Sequence, residues 1–169
     1  HIPESQNRGN LIEVEEAVIG GADLNAFVLA NGQADEYTLL HLATLNDHLD
    51  ALQRLLHTGV VQINKPTARQ GRTALFLAAA EGRIHAATML LELKADVNAL
   101  SDEEQSPLIV AAANGHMEMV QLLQEHGADA SHRWMRLNAQ DVAERAGSNS
   151  MATPRSSGEM EERRGTTER

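Results

Sequence analysis

Eight histidines and 24 acidic residues are where metal or acid–base chemistry would have to be built in this chain. Spacing offers them no shared site. His116 and His126 sit at opposite ends of one predicted helix, and within it neither has a second histidine or a carboxylate at i+3 or i+4 to complete a ligand face. There is no cysteine, so disulfides and thiolate nucleophiles are excluded. No glycine-rich loop is placed to cradle a phosphate, and no nucleophile elbow or zinc-protease motif occurs; Gly20-Gly21 merely closes a helix. The expectation is a chain with no catalytic, metal or cofactor-binding residues, working through its surface.

That surface must be carried by short elements. From Gly71 to Ala99 the chain reads G-R-T-A-L-F-L-A-A-A-E-G-R-I-H-A-A-T-M-L-L-E-L-K-A-D-V-N-A. Thr73 suits a helix N-cap, since its hydroxyl can accept from a free backbone N–H one turn on, and Gly82 suits the stop because it enters the left-handed region cheaply. This defines a first helix, A. Ile84, Ala87, Leu90 and Leu91 then repeat at three and four residues, so a second helix, B, has an apolar side that something must cover.

The cover is another copy. Thr73-Ala74-Leu75-Phe76-Leu77-Ala78 recurs as Thr38-Leu39-Leu40-His41-Leu42-Ala43, as Ser106-Pro107-Leu108-Ile109-Val110-Ala111 and, more weakly, from Asn138 to Ala143. An A-D-x-N tetrad keeps the same rhythm at Ala22–Asn25, Ala95–Asn98 and Ala128–Ser131, with a looser version at Val61–Asn64. Together with G-H-M-E-M-V-Q-L-L-Q-E-H-G-A-D from Gly115 to Asp129, these copies make the chain, over about 11–147, resemble the ankyrin repeat family. The resemblance implies an all-α solenoid of stacked helix-turn-helix units with projecting β-turn fingers. It places a cap at about 1–26, repeats at about 27–64, 65–98 and 99–131, and a partial repeat at 132–147 that Gly147 ends; 148–169 would be a flexible charged tail.

The composition fits. With 42% hydrophobic and 2% aromatic residues, the core is built from small aliphatic side chains suited to thin layers. A net charge of −10 disfavours phosphate backbones, so general nucleic-acid binding is not expected, and a basic patch or an extended peptide on another protein is the natural complement. No run approaches a membrane span, no signal peptide opens the chain, and the absence of cysteine suits an intracellular, cytoplasmic or nuclear monomer. His1 points to an excised fragment, and 1–10 show no amphipathic helix. Helices are expected at 11–19, 39–46, 49–57, 74–81, 84–93, 107–114, 117–126 and 140–146, with Asp47 in place of the usual inter-helix glycine. In the tail, Thr153-Pro154 and Arg155-Ser156-Ser157 offer docking or phosphorylation as the alternative to a plain linker.

In this family the turn between one helix B and the next helix A projects as a finger beside a concave helix-A surface, and the resemblance implies that partners dock there. Finger 1 runs from Phe27 to Tyr37 and holds the apolar tetrad Phe27–Ala30, read as a shield for the cap or a binding loop. Finger 2 carries Lys65, Arg69 and Arg72; finger 3 carries Asp102, Glu103 and Glu104; finger 4 sets Trp134 between Arg133 and Arg136. On helix A the solvent-facing positions are Leu45, Asn46, Ala80, Glu81, Ala113 and Asn114. The candidate partner-binding residues are therefore Phe27, Tyr37, Leu45, Asn46, Arg69, Arg72, Glu81, Asp102, Glu103, Asn114, Arg133, Trp134 and Arg136, the aromatics and arginines being the strongest anchors. Trp134 has a rival role as a lid on the last repeat. His41 stands at the family's T-P-L-H position, which implies a structural tie, as Phe76 and Ile109 in the same place agree. Leu90 followed by Asp96-Val97-Asn98 is similar to the sequence an asparaginyl hydroxylase accepts in ankyrin repeats, so Asn98 is a candidate for hydroxylation; the alternative is that Asn98 braces its own turn. The stack would be a binding module, or else the targeting or autoinhibitory segment of a larger enzyme, channel or transcription regulator.

Overall fold

The computed structural model of the protein describes residues 11–27, 36–133 and 138–148. They form the helices α1 (Leu11–Ile19), α2 (Leu39–Leu45), α3 (Leu49–His57), α4 (Ala74–Glu81), α5 (Ile84–Glu92), α6 (Pro107–Ala113), α7 (Met117–Glu125) and α8 (Ala139–Ser148). No strand occurs among the described residues, and none of their helices is long and apolar enough to cross a membrane.

The starts of α4 and α6 have local causes. Thr73 accepts the Phe76 N–H at 3.2 Å and Ser106 the Ile109 N–H at 3.3 Å, as expected of N-caps, and Pro107 sits at the first helical turn, where its missing donor does no harm. The A-to-B turns use one device three times. Asp47, Gly82 and Gly115 are left-handed at φ 56°, 67° and 75°, so the aspartate does enter the glycine's conformation. At Gly82 an added Cβ would lie 2.9 Å from His116 Nδ1, so only glycine fits there.

α8 differs from expectation. It runs through Gly147 to Ser148, whose predecessor keeps right-handed backbone. Glycine permits a left-handed stop without compelling one, and in a helix it costs only about 1 kcal/mol against alanine. Residues 1–10 and the tail beyond 148 lie outside the described residues, as does the proposed apolar tetrad after Phe27.

The helices pack in two layers. α2, α4, α6 and α8 stack in succession, and α1, α3, α5 and α7 do the same behind them, with α3, α5 and α7 each leaning on the A helix before it. α1 thus occupies a helix-B place, as the sequence implied. Equivalent positions fill the core: Leu40, Leu75 and Leu108 are each 1% exposed, and Ala43, Ala78 and Ala111 are sealed behind them. Burying one such leucine stabilises by about 1.5–3 kcal/mol, while the alanines let the A helices approach closely. Leu55, Leu90 and Leu123 play the same part in layer B. Because each unit touches only its neighbours, stability is a sum of unit and interface terms along the stack.

Candidate protein-binding edge

One edge of the stack is built from the connections between each B helix and the next A helix. Fingers 2 and 3 are closed internally by buried hydroxyls. Thr67 accepts the Arg72 N–H at 3.1 Å and its own N–H donates to the Arg72 carbonyl; Ser101 accepts the Gln105 N–H at 3.3 Å and donates its N–H to the Gln105 carbonyl. Successive fingers are then tied together. Ala68 N–H donates to the Glu36 carbonyl at 3.3 Å, Asp102 N–H to Gln70 at 3.1 Å, and His132 Nε2–H to Glu104 at 2.9 Å. The approach between fingers 2 and 3 is close enough that a Cβ on Gly71, left-handed at φ 64°, would strike the Asp102 side chain and lie 3.0 Å from its backbone N. Nothing in the sequence signalled these ties except Thr67 and Ser101 themselves, which stand at similar distances before Thr73 and Ser106.

His41 anchors the edge from inside. It is 0% exposed, its Nδ1 accepts the Thr38 N–H at 3.0 Å, and its Nε2–H donates to the Lys65 carbonyl at 2.9 Å. The ring therefore carries its proton on Nε2 and links one unit to the next, the structural role its position implied. Phe76 and Ile109 fill the same place by volume alone.

Below the fingers runs a second ladder. Asn25 Oδ1 accepts the Gln62 N–H at 2.7 Å and its Nδ2 donates to the Val60 carbonyl; Asn64 Oδ1 accepts the Asp96 N–H at 2.8 Å; Asn98 Oδ1 accepts the Asp129 N–H at 2.8 Å. Of the two readings of Asn98, the bracing one changes: its side chain braces the next unit's turn rather than its own, which the aspartate two residues earlier already serves, Asp96 accepting the Asn98 N–H at 2.9 Å. The last tetrad ends in Ser131, whose hydroxyl donates back to Asp129 Oδ1 at 2.7 Å. That hydroxyl, then the Ser131 amide, holds the Asp129 carboxyl below its ordinary range.

The candidate side chains fall into three groups. Arg69, Asp102, Glu103 and Arg133 are exposed on the fingers; Arg69 lies 3.9 Å from Glu36 with its side chain 64% exposed, a pairing worth little in water. Phe27, Tyr37 and Arg72 are partly committed to the scaffold. Lys65 Nζ sits 4.5 Å over the Phe27 ring while donating to the Asn25 carbonyl, Arg72 lies 5.5 Å over Phe76, and Tyr37 meets the His41 ring edge-on. On helix A, Glu81 and Asn114 are exposed, whereas Leu45 and Asn46 are half-buried. Asn114 Nδ2 and His116 Nε2–H both donate to the Ala80 carbonyl, at 2.8 and 3.0 Å, so this pair also joins α4 to the turn after α6. Trp134 and Arg136 lie outside the described residues. The structure thus brings the finger 2 and finger 3 charges side by side and leaves no metal-binding cluster among the described residues.

Paired helices in two layers with one fingered, cross-tied edge define a helical-repeat scaffold. The chain belongs to the ankyrin repeat family: a three-copy ankyrin-repeats model matches residues 5–101 and a single ankyrin-repeat model residues 103–134. It is 41% identical over 95 residues to the probable E3 ubiquitin-protein ligase XBOS31 of Oryza sativa subsp. japonica, a match covering 56% of this chain and 21% of that one. It is 33% identical over 117 residues to the ankyrin repeat and KH domain-containing protein mask-1 of Caenorhabditis elegans, covering 69% and 4%, and 32% identical over 102 residues to the nuclear factor NF-kappa-B p105 subunit of Gallus gallus, covering 60% and 10%. The chain therefore spans from 4% to 21% of the length of these curated relatives. Ankyrin repeats are generally protein–protein interaction modules and are typically non-catalytic.

Proposed function

We propose that this chain is itself a non-catalytic recognition module, which grips a partner protein across the finger tips and the adjoining ends of helices α2, α4 and α6. The observation that carries the reading is the tie from each finger to the next, backbone to backbone at Ala68 and Asp102 and through the His132 ring at Glu104, which holds the exposed Arg69 and Asp102 to Glu104 side chains on a fixed frame. A frame that is already ordered loses little entropy on docking, so a few anchors suffice for useful affinity. Adjacent basic and acidic tips favour a partner of matching alternation, and the overall charge of −10 favours one with a basic patch or an extended basic peptide. We place the module in the cytoplasm or nucleus, as a monomer, with no cofactor; the absence of cysteine supports the compartment.

The test is affinity capture with quantitative mass spectrometry, comparing wild type with Arg69→Ala and Trp134→Ala. Loss of the same proteins from both variants, with far-UV circular dichroism unchanged, is the expected result. Equal capture by all three removes the finger edge as the site. A second reading, that the stack is the targeting or autoinhibitory segment of a larger enzyme, channel or transcription regulator, is favoured by the small share of its relatives that it spans. Attaching the flanking polypeptide and finding the capture set or a neighbouring activity altered would support it. Asn98 hydroxylation stays a separate proposal, supported by the exposure of the residue; an added oxygen on Asn98 in native material is what mass spectrometry must find.

A further inference from the structure

The B-helix side of the stack, away from the helix-A surface, is not smooth. Between α3 and α5 lies a cleft of about 400 Å³. Leu49, Leu56, Met89 and Leu93 give it an apolar floor, and Leu93 is 47% exposed. A hollow of about 340 Å³ between α1 and α3 adjoins it, sharing Asp50, Gln53 and His57. The cleft arises because Leu52, Leu55 and Leu90 turn inward onto the A layer, while Leu49, Leu56 and Met89 lie toward the gap between neighbouring B helices, half-buried and covered by nothing else in the described chain.

The titratable groups lining it are Asp50, His57 and Glu92, while Arg54 faces the adjoining hollow. Asp50 lies in the first turn of α3 and Glu92 is the last residue of α5, and neither lysine nor arginine lines the cleft. Successive B helices of a repeat stack run the same way, so these two carboxylates mark opposite ends of the cleft. At 1.5 Å per residue, a nine-residue helix is about 13 Å long, the span of a little over two helical turns. Two parallel helices also leave a ridge-lined groove of the shape a third helix fills.

We propose that the cleft between α3 and α5 is a second docking surface, and that it takes an amphipathic helix of a partner protein whose two-turn apolar stripe is bracketed by lysine or arginine. Leucine-like side chains at i, i+4 and i+7 of the partner would lie on Leu49, Leu56, Met89 and Leu93. The flanking cations would meet Asp50 at one end and Glu92 at the other. This surface is separate from the fingers, so it stands or falls independently of the reading above.

The test uses the whole chain and a fluorescein-labelled synthetic helix of about sixteen residues, long enough to have some helicity in water, with that leucine stripe and a lysine pair at each end. Fluorescence anisotropy is expected to show saturable binding that weakens as salt rises. Leu93→Glu should weaken it at least tenfold and Glu92→Lys severalfold, while Arg69→Ala leaves it unchanged. Both cleft variants should fold, since Leu93 is half-exposed at a helix end and a cation in the last turn of α5 suits the helix dipole; circular dichroism checks this. Absence of saturable binding, undiminished binding by Leu93→Glu, or equal binding of a peptide with glutamates in place of the lysines overturns the proposal. Sedimentation revealing a dimer that Leu93→Glu dissolves would also overturn it, by giving the cleft to a second copy of the chain.

Discussion

Replacing His41 separates what its hydrogen bonds do from what its volume does, because the next repeat provides the control. His41 is sealed from water, takes the Thr38 N–H and gives its own Nε2–H to Lys65 of the following finger; Phe76 occupies the equivalent place with neither bond. His41→Phe keeps an aromatic ring and loses both bonds, together with the 3.0 Å contact between Nδ1 and the Thr38 hydroxyl. The buried Thr38 N–H then has lost its ring partner, at about 1–3 kcal/mol, and the part-buried Lys65 carbonyl loses a bond worth about 0.5–1.5 kcal/mol. A total of about 2–4 kcal/mol is a large share of the roughly 5–15 kcal/mol of a typical domain. With a urea slope of about 2 kcal/mol per molar, the midpoint should fall by about 1–2 M. His41→Ala adds a cavity and should cost about 2 kcal/mol more. Urea titration followed by far-UV circular dichroism reads both. If His41→Phe unfolds at the wild-type midpoint, the polar tie between repeats contributes nothing and the account given for this edge is wrong.

Three further outcomes follow from the same geometry. Gly82→Ala should lower the thermal midpoint by several degrees, since φ is 67° and the new methyl group meets His116, whereas Asp47→Gly, at φ 56° in the equivalent turn, should be neutral or raise it; calorimetry finding a loss in the first variant and none in the second is the check. Asn98→Ala removes the acceptor for the Asp129 N–H and should cost about 1 kcal/mol, appearing in hydrogen exchange as faster opening of residues 127–131 than of the units before them. The Asp129 carboxyl is held below its ordinary value in the folded chain, so its contribution to stability is present above the unfolded pKa and is lost as pH falls through the folded one; in Ser131→Ala, carbon-detected NMR should find that carboxyl titrating closer to the ordinary value.

The helices were legible where starts, stops or apolar spacing have a local cause. Thr73, Ser106 and Pro107 mark starts, Gly82 marks a stop, and the apolar spacing of Ile84 to Leu91 fixes a buried side. Gly147 misled because glycine allows a stop without requiring one. The joints between units were much less readable. Asn25, Asn64 and Asn98 could be seen to recur, yet which backbone they reach depends on the offset between neighbouring units, a tertiary quantity. Likewise Asn114 is exposed, as read, yet its amide also reaches the Ala80 carbonyl, and the finger candidates Tyr37 and Arg72 lean on His41 and Phe76. The cleft between α3 and α5 was invisible for a different reason: Leu49, Leu56 and Met89 carry the same spacing as core residues, and only the gap between two neighbouring B helices separates a covered side from an open one.

The amides of Asn25, Asn64 and Asn98 all reach forward along the chain, never back, and Ser131 keeps its hydroxyl for its own turn. Such a one-way grammar has a place for insertion and a place where sentences end. A duplicate of 65–98 spliced in after Asn98 would find a waiting amide below it and offer one above, so every joint would be answered. The same segment spliced in after Ser131 would meet no such amide, and that joint would go unanswered.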